Sequence, residues 1–276
     1  MIKTINLPFL HQPTASPFFA KEKIKPFIIH LVISLLVSLS FLLFAINFWF
    51  PHDFMTLTGI NHIALMIIGI DVILGPLLTF IVYNVKKKHL WLDLTFIAVL
   101  QASAFIYGAY TIYQGHPVYI TFNADRFTLV SARDATPEQA KLKEYKVSTF
   151  GKPKLAYAEA PTDTEERNAF LFAVLFQNAP DLDRRVDYYK PYQANIDNIL
   201  AKSLSADKLF KQDKHQALLK PYLSNYELDS LAFLPIQGKE TFMIYVLDRK
   251  NAQPVGTINL DPWEIQTENS AKLNVQ

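Results

Sequence analysis

Three long apolar runs, at 27–50, 63–83 and 91–113, set the pattern of this chain. The first holds no Asp, Glu, Lys or Arg, the second holds only Asp71, and the third holds only Asp93, near its entry. Runs of this length, wound as helix at about 1.5 Å per residue, match a hydrocarbon core of about 30 Å. A soluble core helix of the same length would carry a polar face, and none of the three does. The pattern predicts three transmembrane helices. From about residue 118 the periodicity shifts to alternation typical of strands. Segments 118–122 and 127–132 read as strands around the turn Asn123-Ala124-Asp125, and 231–237, 241–248 and 255–260 read as a closing β-meander. Between these sets lie helical stretches. A short one opens at Thr136-Pro137-Glu138, a longer one runs from a cap at Asp163 or Thr164 to Gln177, and two more lie near 193–202 and 205–223. In the longer helix Phe170, Leu171, Val174 and Leu175 form the predicted apolar face, while 146–163 reads as irregular. The predicted fold class is a membrane protein of three transmembrane α-helices followed by an exported α+β domain with an antiparallel sheet, over 114–276.

Charge gives the helices a direction. Up to Tyr113 the basic residues sit in two places: Lys3, Lys21, Lys23 and Lys25 before the first run, and Lys86, Lys87 and Lys88 between the second and third. The 51–62 loop has neither Lys nor Arg. The positive-inside rule therefore puts the 1–26 tail and the Lys86–Lys88 loop in the cytoplasm and the region after Gln114 outside it. Four prolines make that tail extended, with Phe18 and Phe19 near the interface. The first run is too long for a signal h-region, lacks a small-residue cleavage pattern, and reads as an uncleaved span. Phe48, Trp49 and Phe50, with Tyr107, Tyr110 and Tyr113, read as an aromatic belt at the outer interface. The tail after Trp263 reads as frayed.

Composition narrows the function. From Gln114 onward there are 20 Lys and Arg against 21 Asp and Glu, so no basic excess marks a nucleic-acid binder. Cysteine is absent, which excludes disulfides and thiolate chemistry. The sequence has no phosphate-cradling glycine loop, nucleophile elbow or H-E-x-x-H motif, and no cofactor or enzymatic activity is predicted. His52, His62 and His116 fall on the outer side but lack ligand spacing, so no metal site is predicted. Lys190-Pro191-Tyr192 with Asn195, and Lys220-Pro221-Tyr222 with Asn225, read as two similar helix junctions.

The candidate site is in the second and third runs. Asp71 falls near the bilayer midplane, where a carboxylate is expensive and marks function by default. Gly75 is one turn on, and Pro76 removes a donor from the carbonyl of Val72, predicting a kink beside the acid. Gln101 lies near the middle of the third run, with Ala104 and Gly108 on the same face, and Ser34 and Ser38 lie one turn apart on the first. In one reading Asp71 and Gln101 hydrogen-bond across a close helix pair. In another they offer a polar site to a partner in the membrane, and a proton relay is a third. Asp125-Arg126 is an exposed pair or contact site, with a mutual salt bridge disfavoured because neighbours on a strand point apart.

Three segments together resemble the type IV pilin accessory proteins of the TfpX/TfpZ kind, inner-membrane proteins of Gram-negative bacteria. They are Asp71-Val72-Ile73-Leu74-Gly75-Pro76-Leu77-Leu78-Thr79, Asp93-Leu94 through Gln101 to Tyr107-Gly108, and His116-Pro117-Val118-Tyr119 leading to Asp125-Arg126-Phe127. The likeness is clearest over residues 60–135. His116 stands where the family often carries Arg, so no role for that charge carries over. The resemblance implies a non-enzymatic chaperone supporting assembly of a cognate major pilin, with a periplasmic domain. The partner-binding candidates are then Asp71, Gly75, Pro76, Gln101, Ala104, Gly108, Asp125 and Arg126, with the bilayer as the other partner. The competing reading is a membrane-anchored periplasmic sensor or small-ligand-binding protein, though the short tail leaves no room for an output domain.

Overall fold

The computed structural model describes residues 21–239, 241–263 and 265. The expectations for residues 1–20 of the tail and for the end beyond residue 265 lie outside the described residues. Among the described residues three helices are long and apolar enough to cross a membrane: α1 (Lys21–Trp49), α3 (Ile60–Val82) and α4 (Leu90–Gly115). The chain is accordingly a multi-pass membrane protein. A five-residue helix, α2 (Phe54–Thr58), joins α1 to α3 and stops at Gly59, whose φ of 71° is the left-handed cap that a residue without a Cβ adopts freely.

Two compact units emerge, one from residues up to 42 with 64–109, the other from 43–63 with 110 onward. The first unit is a helix assembly. The second carries a seven-stranded sheet: β1 (Pro117–Asn123), β2 (Arg126–Ser131), β3 (Lys154–Ala158), β4 (Tyr189–Lys190), β5 (Leu231–Gln237), β6 (Phe242–Asp248) and β7 (Pro254–Ile258), in the order β4-β3-β1-β2-β5-β6-β7. The α+β class matches expectation. The sheet, however, is mixed and not antiparallel throughout, because β1 pairs with β3 and β2 with β5 in parallel. Parallel neighbours need long crossovers, and the segments 124–153, which includes β2, and 132–230 supply them. β3 lies inside the segment read as irregular, where five residues between Pro153 and Pro161 give little pattern to read.

Buried clusters flank the sheet of the second unit. Around β1, β3 and β4, Tyr119, Tyr145 and Tyr189 pack edge to face and hydrogen-bond as they are buried: Tyr119 donates to the Tyr145 carbonyl and Tyr145 to that of Lys190. Burial pushes all three phenols above their usual value of 10. Over β5 and β6, which are buried on both faces, Phe233, Ile244 and Val246 point toward Leu209, Phe210 and Leu219. Their neighbours of opposite parity, such as Tyr245, meet Phe54 of α2.

The connection between the first two spans is thus part of a sheet core. Phe54 and Leu57 are completely buried, and Gly238 sits so close to α2 that a Cβ there would fall 2.0 Å from the Leu57 carbonyl oxygen. The Thr257 hydroxyl accepts from the Asp53 N–H and donates to its carboxylate. Of the two similar junctions found in the sequence, the first runs from β4 at Lys190 into a 3-10 turn at Gln193–Asn195 and the second is helical, and both tyrosines reach the β6–β7 hairpin: Tyr192 donates to the Ala252 carbonyl and Tyr222 to that of Thr257.

Helix α5 (Thr164–Phe176) begins as predicted, with the Asp163 carboxylate accepting from the Glu166 N–H. Its buried stripe is narrower than its apolar face. Phe170 is buried and Val174 partly so, whereas Leu171 and Leu175 face solvent with Phe172 and Phe176.

Candidate functional site: a polar seam among the helices

Along α1, His30, Ser34 and Ser38 fall at i, i+4 and i+8, one face of a helix. Along α3, Asp71, Gly75 and Thr79 repeat the spacing. The antiparallel pair meets in step. His30 Nδ1 lies 2.6 Å from Thr79 Oγ1, and eight residues further along α1 the Ser38 hydroxyl donates to Asp71 Oδ2 at 3.5 Å. Ser34, Ser38, Asp71 and Thr79 are buried. At the end of this seam the Lys23 ammonium donates to the Ile81 carbonyl, in the last turn of α3 where the helix dipole favours a cation.

Helix α4 closes the seam from another side. The Gln101 amide donates to the backbone carbonyl of Asp71 at 3.1 Å. That carbonyl is free for a reason written in the sequence. From Gly69 to Leu74 the helix runs in π register, the Gly75 N–H reaching back five residues to Ile70. In this register the carbonyl of Asp71 would be served by residue 76, and Pro76 has no N–H. The orphaned acceptor is therefore Asp71, one residue from the expected Val72, and a side chain from a neighbouring helix satisfies it. The expected Asp71–Gln101 bond exists, but it runs to the main chain and leaves the carboxylate to Ser38.

The close approach depends on missing side chains. A Cβ on Gly75 would lie 1.9 Å from Gln101 Nε2, and one on Gly108 would lie 2.4 Å from Ile67 Cγ1. Pro76 is buried beside Gly75, and Ala104 is half-buried between Gln101 and Gly108. Of the candidate residues, Asp71, Gly75, Pro76, Gln101, Ala104 and Gly108 lie in the helix unit, and the first, second and fourth meet directly. Gln101 Oε1 is buried and has no hydrogen-bond partner among the described residues. His30 and Thr79 escaped the sequence reading because neither interrupts an apolar run with a fixed charge. Their four-residue spacing against Ser34, Ser38 and Asp71 is the signal that would have found them.

Asp125 and Arg126 belong to the other unit. Arg126 Nε lies 2.9 Å from Asp125 Oδ1, so they do form the mutual ion pair that strand geometry disfavours. Asp125 occupies the β1–β2 turn after Ala124, whose φ is 57°, and a turn residue is not bound by the alternation of a strand. The Arg126 guanidinium also lies over the Trp263 ring.

Among the described residues no three His, Asp or Glu side chains gather as a metal-binding group. His116 is fully buried at the start of the sheet, stacked on Trp49, with Nδ1 against the Tyr113 carbonyl. Burial pushes its imidazole below the usual 6.5, partly opposed by backbone hydrogen bonds. His52 is lowered in the same way, against the raising effect of Asp53.

Trp49 and Phe50 are buried within the protein, so of the predicted aromatic belt only Tyr107 and Tyr110 are well exposed. The Trp49 indole donates to the Phe150 carbonyl at 3.2 Å, and the hydroxyls of Tyr113 and Thr149 lie 2.8 Å apart. A loop of the sheet-bearing unit is thereby fastened to the ends of α1 and α4. No sequence pattern marked it.

The fimbrial assembly protein of Dichelobacter nodosus serogroup I is 31% identical over 251 residues, covering 86% of this chain and 95% of that protein. The chain belongs to the fimbrial assembly protein family. The serogroup E1 fimbrial assembly protein is 29% identical over equal shares of both chains, and that of serogroups C1 and C2 is 40% identical over 110 residues, or 38% of this chain. The family likeness to serogroups I and E1 takes in both helices and sheet, since neither alone is long enough to hold it. No family model matches the sequence, and no solved structure matches it.

Proposed function

We propose that this fimbrial assembly protein is a pilin-specific accessory protein of the TfpX/TfpZ kind, a chaperone for a cognate type IV major pilin. It sits in the inner membrane of a Gram-negative cell with N-terminus and Lys86–Lys88 loop cytoplasmic and the sheet-bearing unit periplasmic. The observation that carries this reading is the match to fimbrial assembly proteins along nearly their full length. The relatives are named for assembly and not for a reaction, which agrees with a protein that works by binding.

A pilin before assembly is an apolar helix in the membrane bearing a lone acidic group, with a globular head outside. Holding it needs an intramembrane surface with a polar contact and a domain that meets the head. Asp71 supplies the polar contact. The bond its carboxylate accepts from Ser38, at 3.5 Å, is at the long limit for a hydrogen bond and is readily exchanged for a better one. Gly75, Pro76, Gln101, Ala104 and Gly108 shape the surroundings of the acid, and Asp125 with Arg126 offers a charged contact to the head. A protonated Asp71 donates to the client's carboxylate. Asp71→Asn should leave insertion intact and change the amount of pilin that co-purifies. Unchanged co-purification together with normal piliation would remove Asp71 from the account.

A further inference from the structure

The loop at 148–152 carries Phe150 to the end of α1. Its ring lies 6.0 Å from that of Phe44 at 28°, 6.2 Å from that of Phe48, and 5.3 Å from Trp49, edge to face. Two residues on, the Lys152 ammonium lies 5.8 Å from the centre of the Phe48 ring. Despite these contacts Phe150 is 52% exposed, and Phe44 and Ile46 beside it are exposed as well.

The depth of this cluster follows from the helix that carries it. α1 is apolar from residue 27, and a span of about 20 residues crosses the hydrocarbon. Phe44 therefore lies inside the apolar layer, Phe48 and Trp49 lie at its boundary, and Pro51, His52 and Asp53 are the first residues beyond. A ring lying against Phe44 and Phe48 shares their depth. A long basic side chain over Phe48 is then placed as interfacial lysines are, with its stem in apolar surroundings and its ammonium at the phosphates.

We propose that the 148–152 loop is a membrane contact made by the sheet-bearing unit itself, with phospholipid headgroups as its partner. Phe150 lies beside the headgroup-proximal part of the acyl chains and Lys152 at the phosphates. The continuity of the exposed patch with the lipid-facing surface of α1 favours lipid as the occupant. Trp49 and Tyr113 hold the loop through the Phe150 carbonyl and the Thr149 hydroxyl, so the contact is held ready and needs no rearrangement of the loop.

The sequence has no cysteine, so a single introduced cysteine can be spin-labelled alone. With the full chain in phospholipid nanodiscs, labels at Phe150→Cys and Lys152→Cys are compared with Val99→Cys on the exposed face of α4 and Asn251→Cys in the β6–β7 turn. Collisions with oxygen and with a water-soluble nickel chelate are measured. The label at 150 should favour oxygen as at 99, with several-fold lower nickel access than at 251, and the label at 152 should fall between. Nickel access at both 150 and 152 equal to that at 251 would overturn the proposal. If loss of the Phe150 ring prevents folding, Lys152→Cys, which leaves the stacked rings intact, decides alone.

Discussion

Pro76 acts on Asp71 at a distance of five residues. A helix in π register leaves the Asp71 carbonyl without its donor, and Gln101 fills the place across the gap that Gly75 keeps open. Restoring the N–H with Pro76→Ala gives the carbonyl a donor in its own helix. The cost of Gln101→Leu, about 0.6 kcal/mol for a typical interhelical hydrogen bond in a membrane protein, should then shrink toward zero. A double-mutant cycle on unfolding of the full chain measures that coupling. Independent, additive effects would mean that proline is not what frees the carbonyl. A second residue-scale consequence concerns pH. Because His116 and His52 are held below the usual imidazole range, the unfolded chain binds more protons than the folded one as pH drops through 6.5. Stability should be full above neutrality and fall toward pH 5, and His116→Gln should flatten that fall. A pH-independent unfolding midpoint would contradict the burial of these rings. At this scale the sequence was partly legible. The acid, the proline and the glutamine could be picked out, since each interrupts an apolar run. The π register moved the free carbonyl by one residue, and His30 went unnoticed because it stands at the very start of its apolar run, where a polar residue does not interrupt the pattern.

Among the elements, α2 departs most from what its sequence suggests. Residues 51–62 read as a connector, yet Phe54 and Leu57 fill one face of the sheet against Tyr245, and Asp53 is locked to Thr257. Two phenylalanines and a leucine within eight residues were a signal of burial, but nothing local names the strand they cover. Gly238→Ala would drive a methyl group into the main chain of α2, where no side chain can turn aside. Overpacking of this kind costs about 1–3 kcal/mol, and a fall of that size in unfolding free energy is the expected outcome, with no change in membrane insertion. Strands β5 and β6 were readable because long apolar runs between turn residues leave few alternatives. β3 was not, since its pairing with β1 is parallel and set by residues far away in sequence. In α5 only Phe170 and Val174 of the predicted apolar face are covered, because periodicity reports which side is apolar and not what lies against it.

For the whole molecule, the near-neutral charge from Gln114 onward leaves the sheet-bearing unit without a basic excess, and on the proposed function the three spans supply apolar surfaces to a pilin helix. Much of the lipid-facing surface of α4 is apolar, including Phe96, Val99 and Tyr107, each more than half exposed. A client helix would lie against such a surface to come near the polar seam. The most direct measurement places a photo-reactive amino acid singly at Phe96, Val99 and Tyr107, and at buried Ile112 as a control, in cells expressing the cognate pilin. Irradiation should join pilin to at least one of the three exposed positions and not to 112. Cells that assemble pili normally while none of the three yields a pilin adduct would contradict the account.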